Sequence, residues 1–356
     1  MPFYNKLDPR KGEDRWTAVG LLRLRKALQK AVPPKRLDSR LLLATWNIRE
    51  FGGSKFKGRT QEALFYLAEV ISAFDLVAVQ EVRSNLGDFN RLMNLLGSWW
   101  RYLLTDVTLG QRGNQERLAF LYDSRKVTFG GLASQVVLAP IKGKKGEPPK
   151  AAEQLARTPL LVGFRCGWLK FTICTAHILY GPDEASPPER VEEIKQLAQF
   201  LATRVSHRDA WARNMIVLGD FNIFKPTDPT FIALRKAKFT MPTKLQGLHS
   251  NAAGGKHFDQ IAFIAPDLED KLELSDAGVV DIFKTVFSEK KKDVEFYKRS
   301  IGKTAYKNWR TYQLSDHLPM WIELRTDFAG RYLRQKMKRA GPAAIESEEV
   351  APPATG

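Results

Sequence analysis

The chain has 356 residues, 44% of them hydrophobic, enough for one large core or two smaller ones, and it carries a net charge of +17. With a pI near 9.8, that basic excess fits a polyanionic partner such as nucleic acid or an anionic surface, solubility being the plainer alternative. No window approaches a membrane-spanning length, and Arg23, Arg25 and Lys26 break up the best N-terminal candidate for a signal peptide, so an intracellular, cytoplasmic protein is expected.

Residues 16–32 read as a helix, with Leu21, Leu24, Leu28 and Ala31 on one stripe, stopped by Pro33-Pro34. Its other face bears Arg23, Arg25, Lys26 and Lys30, either a solvated face or a contact for nucleic acid or an anionic membrane surface. Residues 41–46 form a buried strand that ends at Asn47-Ile48-Arg49. An amphipathic helix over 59–74 and a strand over 75–79, ending at Gln80-Glu81-Val82-Arg83, complete a β-α-β-like unit. A second helix covers 88–96, and short β runs with polar turns fill 99–137, among them Glu116-Arg-Leu-Ala-Phe-Leu-Tyr122.

Residues 142–150 are a basic, Pro/Gly-rich loop without core content. Strands over 160–165 and 169–176 follow, the second delivering His177. Cys166 and Cys174 lie on these strands but, with a turn around 167–170, not opposite each other, so both thiols are expected to be reduced. A charged helix over 187–205 leads to Asn214-Met-Ile-Val-Leu-Gly-Asp220-Phe-Asn222, a strand that opens into a carboxylate and a carboxamide on one face. A strand starts at Asp259. Residues 284–310 are dense in Lys and Arg with interleaved Phe296, Tyr297, Tyr306 and Trp309, either a solvated surface or a stacking surface for nucleic acid. Ser315-Asp316-His317 feeds the last strand, 318–324. The expected organisation is an N-terminal extension over 1–39, a catalytic domain over 40–326 and a disordered tail over 327–356.

Nearly every predicted strand delivers a polar group at one rim: Asn47, Glu81, Glu116, His177, Asp220, Asn222, Asp259, Asp316 and His317. Charged ends of buried strands cost free energy unless they pair or bind an ion. Carboxylate and amide oxygens without a Cys/His cluster suit Mg²⁺, with Mn²⁺ or Ca²⁺ as alternatives, rather than zinc. A hard cation, two histidines and two spare carboxylates, Glu116 and Asp259, are the parts for hydrolysing a phosphate ester. His207, His249 and His257 sit in no such motif and are read as surface residues.

Six segments in order, Thr45-Trp-Asn-Ile, Gln80-Glu-Val-Arg, Thr175-Ala-His, Gly219-Asp-Phe-Asn, Phe258-Asp-Gln and Ser315-Asp-His-Leu-Pro, resemble the endonuclease/exonuclease/phosphatase superfamily. Asn47-Ile-Arg-x-Phe-Gly and Glu116-Arg-x-x-Phe-Leu are most similar to its deoxyribonuclease I branch. The resemblance implies a four-layer α/β sandwich, two mixed β-sheets face to face and flanked by helices. It implies that Asn47 and Glu81 hold one divalent cation, while Asp220, Asn222 and Asp316 surround the phosphate and a possible second cation. His317, oriented by Asp259, would be the general base and His177, oriented by Glu116, the general acid. Arg157 would stand near the scissile phosphate, and Arg49 and Arg83 would touch nucleic acid.

Two departures bear on this. Asn114 stands where the secreted enzyme of that branch has an aromatic, and its disulfide pattern is absent. His257-Phe-Asp-Gln also differs from the Arg-x-Asp-Tyr of the abasic-site branch. The expected function is a divalent-metal-dependent nuclease acting on DNA or RNA without an obligate protein partner. The alternative is a phosphoesterase acting on inositol-phosphate or phospholipid headgroups; a non-catalytic nucleic-acid-binding module is the third reading.

Overall fold

Strand β1, Arg40–Phe51, is buried along nearly its whole length because both of its faces are covered. Leu41 and Leu43 point into a core between two sheets, while Leu42, Ala44 and Trp46 point into a core beneath helices. That two-sided burial is why its sequence is a continuous apolar run rather than an alternating one.

The computed structural model describes residues 2–8, 10–110, 112–143, 147–264, 272–302 and 305–340. The first half runs α1 (Gly12–Ala31), β1, α2 (Gln61–Ser72), β2 (Leu76–Arg83), α3 (Gly87–Leu96), β3 (Trp100–Leu104), β4 (Glu116–Asp123) and β5 (Thr128–Gln135). The second runs β6 (Leu160–Cys166), β7 (Leu169–His177), α4 (Pro188–Ser206), β8 (Met215–Asp220), α5 (Pro229–Lys236), α6 (Thr243–Gln246) and β9 (Asp259–Ile264). It ends with β10 (Leu274–Val279), α7 (Lys291–Ile301), α8 (Tyr306–Gln313), β11 (Met320–Arg325) and α9 (Ala329–Ala340).

One sheet has the order β10-β11-β1-β2-β4-β3 and the other β5-β6-β7-β8-β9. Both are mixed: β1 and β2 are parallel, as are β7 and β8, and the remaining pairs are antiparallel. Phe120, Phe164, Phe171, Leu218 and Ile322 fill the space between the sheets. Helices α2 and α3 cover the outer face of the first sheet, and α4 and α5 cover that of the second. The expected four-layer sandwich is the observed architecture. Among the described residues no helix is long and apolar enough to cross a membrane.

Two segments differ from their sequence reading. Tyr297, Tyr306 and Trp309, expected on a surface, are buried with Phe287 and Val286 in the core under α7 and α8. Amphipathic helices explain this: the Lys and Arg residues between the aromatics face out while the rings face in. The expected disordered tail begins with helix α9, and 341–356 lie outside the described residues, as do 144–146 of the predicted loop. The N-terminal segment contributes α1 to the outer layer, with Leu21, Leu24, Leu28 and Val32 in the core. Two of its basic residues are engaged by the domain, Arg23 with Asp293 and Arg25 with Glu69. Cys166 and Cys174 are buried free thiols, each held well above the usual thiol pKa by burial.

Candidate active site

Strand polarity brings the polar residues to one end of both sheets. β7 and β8 run parallel and end at His177 and Asp220, which are register partners; β9 runs the other way and begins at Asp259, the partner of Asp220. His177, Asp220 and Asp259 therefore form one cross-strand row. In the facing sheet β4 begins at Glu116, opposite Arg83 at the end of β2.

Asn47 and Glu81, expected at strand ends, lie inside longer strands, at irregularities. The β1–β2 pairing shifts register between Asn47 and Phe51, and the β2–β4 pairing shifts between Val79 and Val82. Glu81 and Asn222 have φ of 63° and 52°, and Glu50 has 45°. Left-handed backbone at non-glycine residues is held only where the surroundings impose it, and it gathers at functional sites. Gly219 has φ of +135°, and a side chain there would overlap the Ala176 carbonyl, so the residue before Asp220 must be glycine.

The side chains then converge. Asn47 Nδ2 donates to Glu81 Oε1 and to Asp220 Oδ2, both at 2.9 Å. His177 places Nδ1 2.7 Å from Glu116 Oε2 and Nε2 3.5 Å from Asp220 Oδ2. His317 places Nδ1 2.8 Å from Asp259 Oδ2 and Nε2 3.5 Å from the same Asp220 oxygen. Glu116 also pairs with Arg157 at 2.9 Å and accepts from Asn114 Nδ2 at 2.6 Å. Asn222 donates its amide to Ile178 O at 2.8 Å, and its backbone N–H to Asp220 Oδ1.

Charge follows from this packing. Burial opposes ionisation of Glu116, yet His177 and Arg157 hold its carboxyl down at about 2. Burial and Arg157 disfavour a proton on His177, but Glu116 and Asp220 outweigh them and raise its pKa. Burial likewise opposes a charged His317, and Asp259 and Asp220 raise it well above the ordinary imidazole value. Burial pushes Asp220 up, but His317, His177 and the Asn47 amide bring it below the usual carboxylate range.

Asp316, Arg49 and Arg83 stand apart from this cluster. The Asp316 side chain is 46% exposed and pairs with Arg49 at 3.6 Å, while His317, its neighbour in sequence, turns inward. Arg49 also donates to Thr311 Oγ1 at 3.0 Å, and Arg83 donates to the Asn114 carbonyl.

The sequence reading did not single out several residues that frame the site. Ser315 Oγ donates to the Asn47 carbonyl at 2.5 Å and accepts from His317 N at 3.0 Å, and Trp46 Nε1 holds the His317 carbonyl at 3.0 Å. Gln80 Nε2 bridges Thr175 on the facing sheet and Thr45 on its own. Arg190, fully buried on α4, donates to the carbonyls of Leu179, Tyr180, Pro182, Glu184 and Asn222. Gln80 and Ser315 lie inside the quoted motifs; Arg190 has no local signal except a charge that, with Glu193, falls on the buried stripe of α4.

Comparison with known proteins places this geometry in context. The model of the Endonuclease/Exonuclease/phosphatase family matches residues 44–317. A deoxyribonuclease of Thioalkalivibrio sp. is 30% identical over 188 residues, covering 51% of this chain and 46% of that enzyme. Deoxyribonuclease-1 of Rattus norvegicus is 26% identical over 196 residues, covering 52% of this chain and 62% of that enzyme. The chain thus spans less than two thirds of the length of these relatives. Among solved structures, the human Nocturnin catalytic domain superposes with a TM-score of 0.54 at 13% identity, covering 84% of this chain and 98% of that one. TDP2 of D. rerio with a single-stranded DNA product gives a TM-score of 0.50 at 13% identity, covering 81% and 99%. These two likenesses are of fold.

Proposed function

The chain belongs to the endonuclease/exonuclease/phosphatase family of hydrolases, and from that premise we propose that it is a divalent-metal-dependent phosphodiesterase that cleaves nucleic acid, DNA first, leaving 5′-phosphate and 3′-hydroxyl ends. The observation that carries this reading is the pair of carboxylate-backed histidines aimed at one oxygen of Asp220. Two imidazoles on opposite sides of one anionic pocket supply a base for water and an acid for the leaving oxygen. The deoxyribonuclease relatives and the net charge of +17 favour nucleic acid over a small phosphoester.

The donor atoms of the pocket fit a cation. Asn47 Oδ1 is buried without a hydrogen-bond partner, beside the Glu81 carboxylate that receives its amide N–H. A hard oxygen that nothing among the described residues satisfies, next to a carboxylate, suits Mg²⁺ or Mn²⁺. Glu81, Glu116 and His177 also bring ligand atoms within 4.8 Å of one another. Glu116 already serves His177, Arg157 and Asn114, so Asn47 and Glu81 are the better seat, with Asp220 adjacent. When bound there, the ion neutralises charge on the phosphoryl oxygens.

The residues of the chain do the rest. His317 in its neutral form takes the proton of the attacking water on Nε2, with Asp259 on Nδ1 fixing that tautomer. Against burial, Asp259 and Asp220 raise its pKa, so turnover rises with pH as that proton is lost. His177, kept protonated by Glu116, gives its proton to the departing 3′ oxygen. Arg157 and the Asn222 amide would steady the phosphate. Asp316, paired with Arg49, would act at the mouth of the cleft and is a weaker candidate for a second cation. The test is cleavage of plasmid, single-stranded DNA, RNA and an inositol phosphate with Mg²⁺, Mn²⁺ or EDTA. Cleavage of nucleic acid that EDTA abolishes is expected; turnover of the inositol phosphate alone would overturn the nuclease reading in favour of headgroup chemistry.

A further inference from the structure

Next to His317 the chain builds a feature that the hydrolytic set does not use. The rings of Tyr180, Phe224 and Phe258 form a triangle with centroids 5.7 to 6.3 Å apart, and Phe258 lies 5.4 Å from the His317 ring. The Lys256 ammonium sits over this triangle, 3.7 Å from the Phe224 centroid, 5.2 Å from Phe258 and 6.0 Å from Tyr180. The guanidinium of buried Arg190 lies 5.1 Å from Tyr180 and 5.3 Å from Phe224. The Lys256 backbone is pinned at both ends: its N–H donates to Asn251 Oδ1 and its carbonyl accepts from Ser250 N, each at 3.0 Å, and Asn251 bridges to His317.

A lysine on an open surface spends its rotamer entropy when it binds an anion; this one already has its ammonium held over aromatic faces. Attraction between the ammonium and the ring quadrupoles holds the charge at one point without neutralising it. The face of Phe224 is taken by the ammonium, so the cage offers a cation rather than a stacking surface for a base. Asp183 pairs with Lys256 at 3.0 Å and accepts from the Tyr180 hydroxyl, but its side chain is 73% exposed, so an incoming phosphate competes with it for the ammonium.

We propose that Lys256, held by the Tyr180–Phe224–Phe258 cage, binds the phosphate that flanks the scissile one, so that the site takes a strand with consecutive phosphates rather than an isolated phosphoester. This rests on the nuclease reading above and names the substrate class within it. A single-stranded oligodeoxynucleotide carries the flanking phosphate; bis(p-nitrophenyl) phosphate has only the one that is cut.

The experiment is steady-state kinetics of the full chain with Mg²⁺ on both substrates across a salt series. It compares the unmodified chain with Lys256→Met, Lys256→Arg and Asp183→Asn. Lys256→Met raises KM for the oligonucleotide about tenfold with kcat unchanged. It also makes the fall of log(kcat/KM) with log salt shallower by about one. Lys256→Arg keeps most of the affinity, and Asp183→Asn lowers KM because the competing anion is gone. The small diester is turned over alike by all four. An unchanged oligonucleotide KM and salt slope in Lys256→Met, or equal losses on both substrates, would overturn the assignment. If the unmodified chain cuts the small diester and no oligonucleotide, the nuclease reading itself has failed, a result distinct from either.

Discussion

Nε2 of His177 and Nε2 of His317 stand at the same distance, 3.5 Å, from a single atom, Oδ2 of Asp220. Each imidazole is fixed from behind by its own carboxylate, Glu116 at 2.7 Å and Asp259 at 2.8 Å. The arrangement is nearly symmetric, so the roles of acid and base are separable by chemistry rather than by position.

Replacing either histidine with alanine should lower kcat on a nucleic-acid substrate by about 10²- to 10⁴-fold without loss of the folded state. The two variants should part company on bis(p-nitrophenyl) phosphate, whose leaving group needs no proton. There His177→Ala should recover much of its rate and His317→Ala should not. Equal recovery in both would reverse or dissolve the assignment, and circular dichroism melts show whether each variant is folded.

The cation seat makes a prediction that activity alone does not test. Asn47→Ala and Glu81→Gln should each weaken Mn²⁺ binding by about 10- to 100-fold in calorimetry, since each removes an oxygen from one small set. Asp316→Asn should change it little, because Asp316 is half-exposed and already paired with Arg49. A large loss in Asp316→Asn alongside a small one in Asn47→Ala would move the seat to the other side of the pocket.

What sequence reveals of this site depends on locality. His177, Asp220 and Asp259 are legible because each ends or begins a short apolar run, and strand polarity alone then aligns them. Asn47 and Glu81 look like strand ends for a different reason: the register shifts at the bulges that hold them are set by pairing partners distant in sequence. The run around Tyr297, Tyr306 and Trp309 misleads because its charge is high, and composition does not say that every aromatic falls on one helical face. Arg190 is illegible for the same reason, its five carbonyl partners being brought together by loops after two different strands.

Burial of Glu62 gives stability a dependence on pH. Its Oε1 accepts from Tyr66 Oη at 2.6 Å and Tyr297 Oη at 2.7 Å, but burial dominates and raises its pKa to about 7. A carboxyl that holds its proton more tightly when folded favours the folded state at low pH. Stability therefore falls as pH rises from the unfolded value near 4.5 to about 7 and then levels off. The difference is at most about 3 kcal/mol, less whatever solvent reaches the carboxylate. Glu62→Gln keeps an acceptor for both tyrosines and should show a higher melting temperature than the parent at pH 8 but not at pH 4.5. Parallel curves across that range would remove Glu62 as the source.

Docking of α1 turns on a single missing methyl. A side chain at Gly20 would overlap the Tyr66 hydroxyl, with Cζ at 2.8 Å, and Tyr66 cannot retreat because it is buried and bonded to Glu62. Helix propensity alone would make Gly20→Ala stabilising by up to about 1 kcal/mol. Overpacking against a fixed ring costs about 1 to 3 kcal/mol and should win. Chemical denaturation should thus find the variant less stable; a more stable one would mean that α1 is loosely seated.

Arg190 ties the loops that follow His177 and Asp220 to one helix. Its guanidinium reaches Leu179 O at 3.1 Å, just beyond His177, and Asn222 O at 2.9 Å, just beyond Asp220. One turn along α4, Glu193 receives Ala156 N at 2.8 Å and Leu179 N at 3.0 Å, so the loop before Arg157 is held by the same face. Arg190→Ala would leave several buried carbonyls unpaired at about 1 to 3 kcal/mol each, less where water enters. Arg190→Lys, with three donors in place of five, should recover part of that stability but not the fork that spans both loops. The expected outcome is a folded Arg190→Lys protein whose kcat falls while Mn²⁺ affinity at Asn47 and Glu81, on the opposite sheet, is kept. Loss of both together would make Arg190 a support of the whole fold rather than of the His177 side of the cleft.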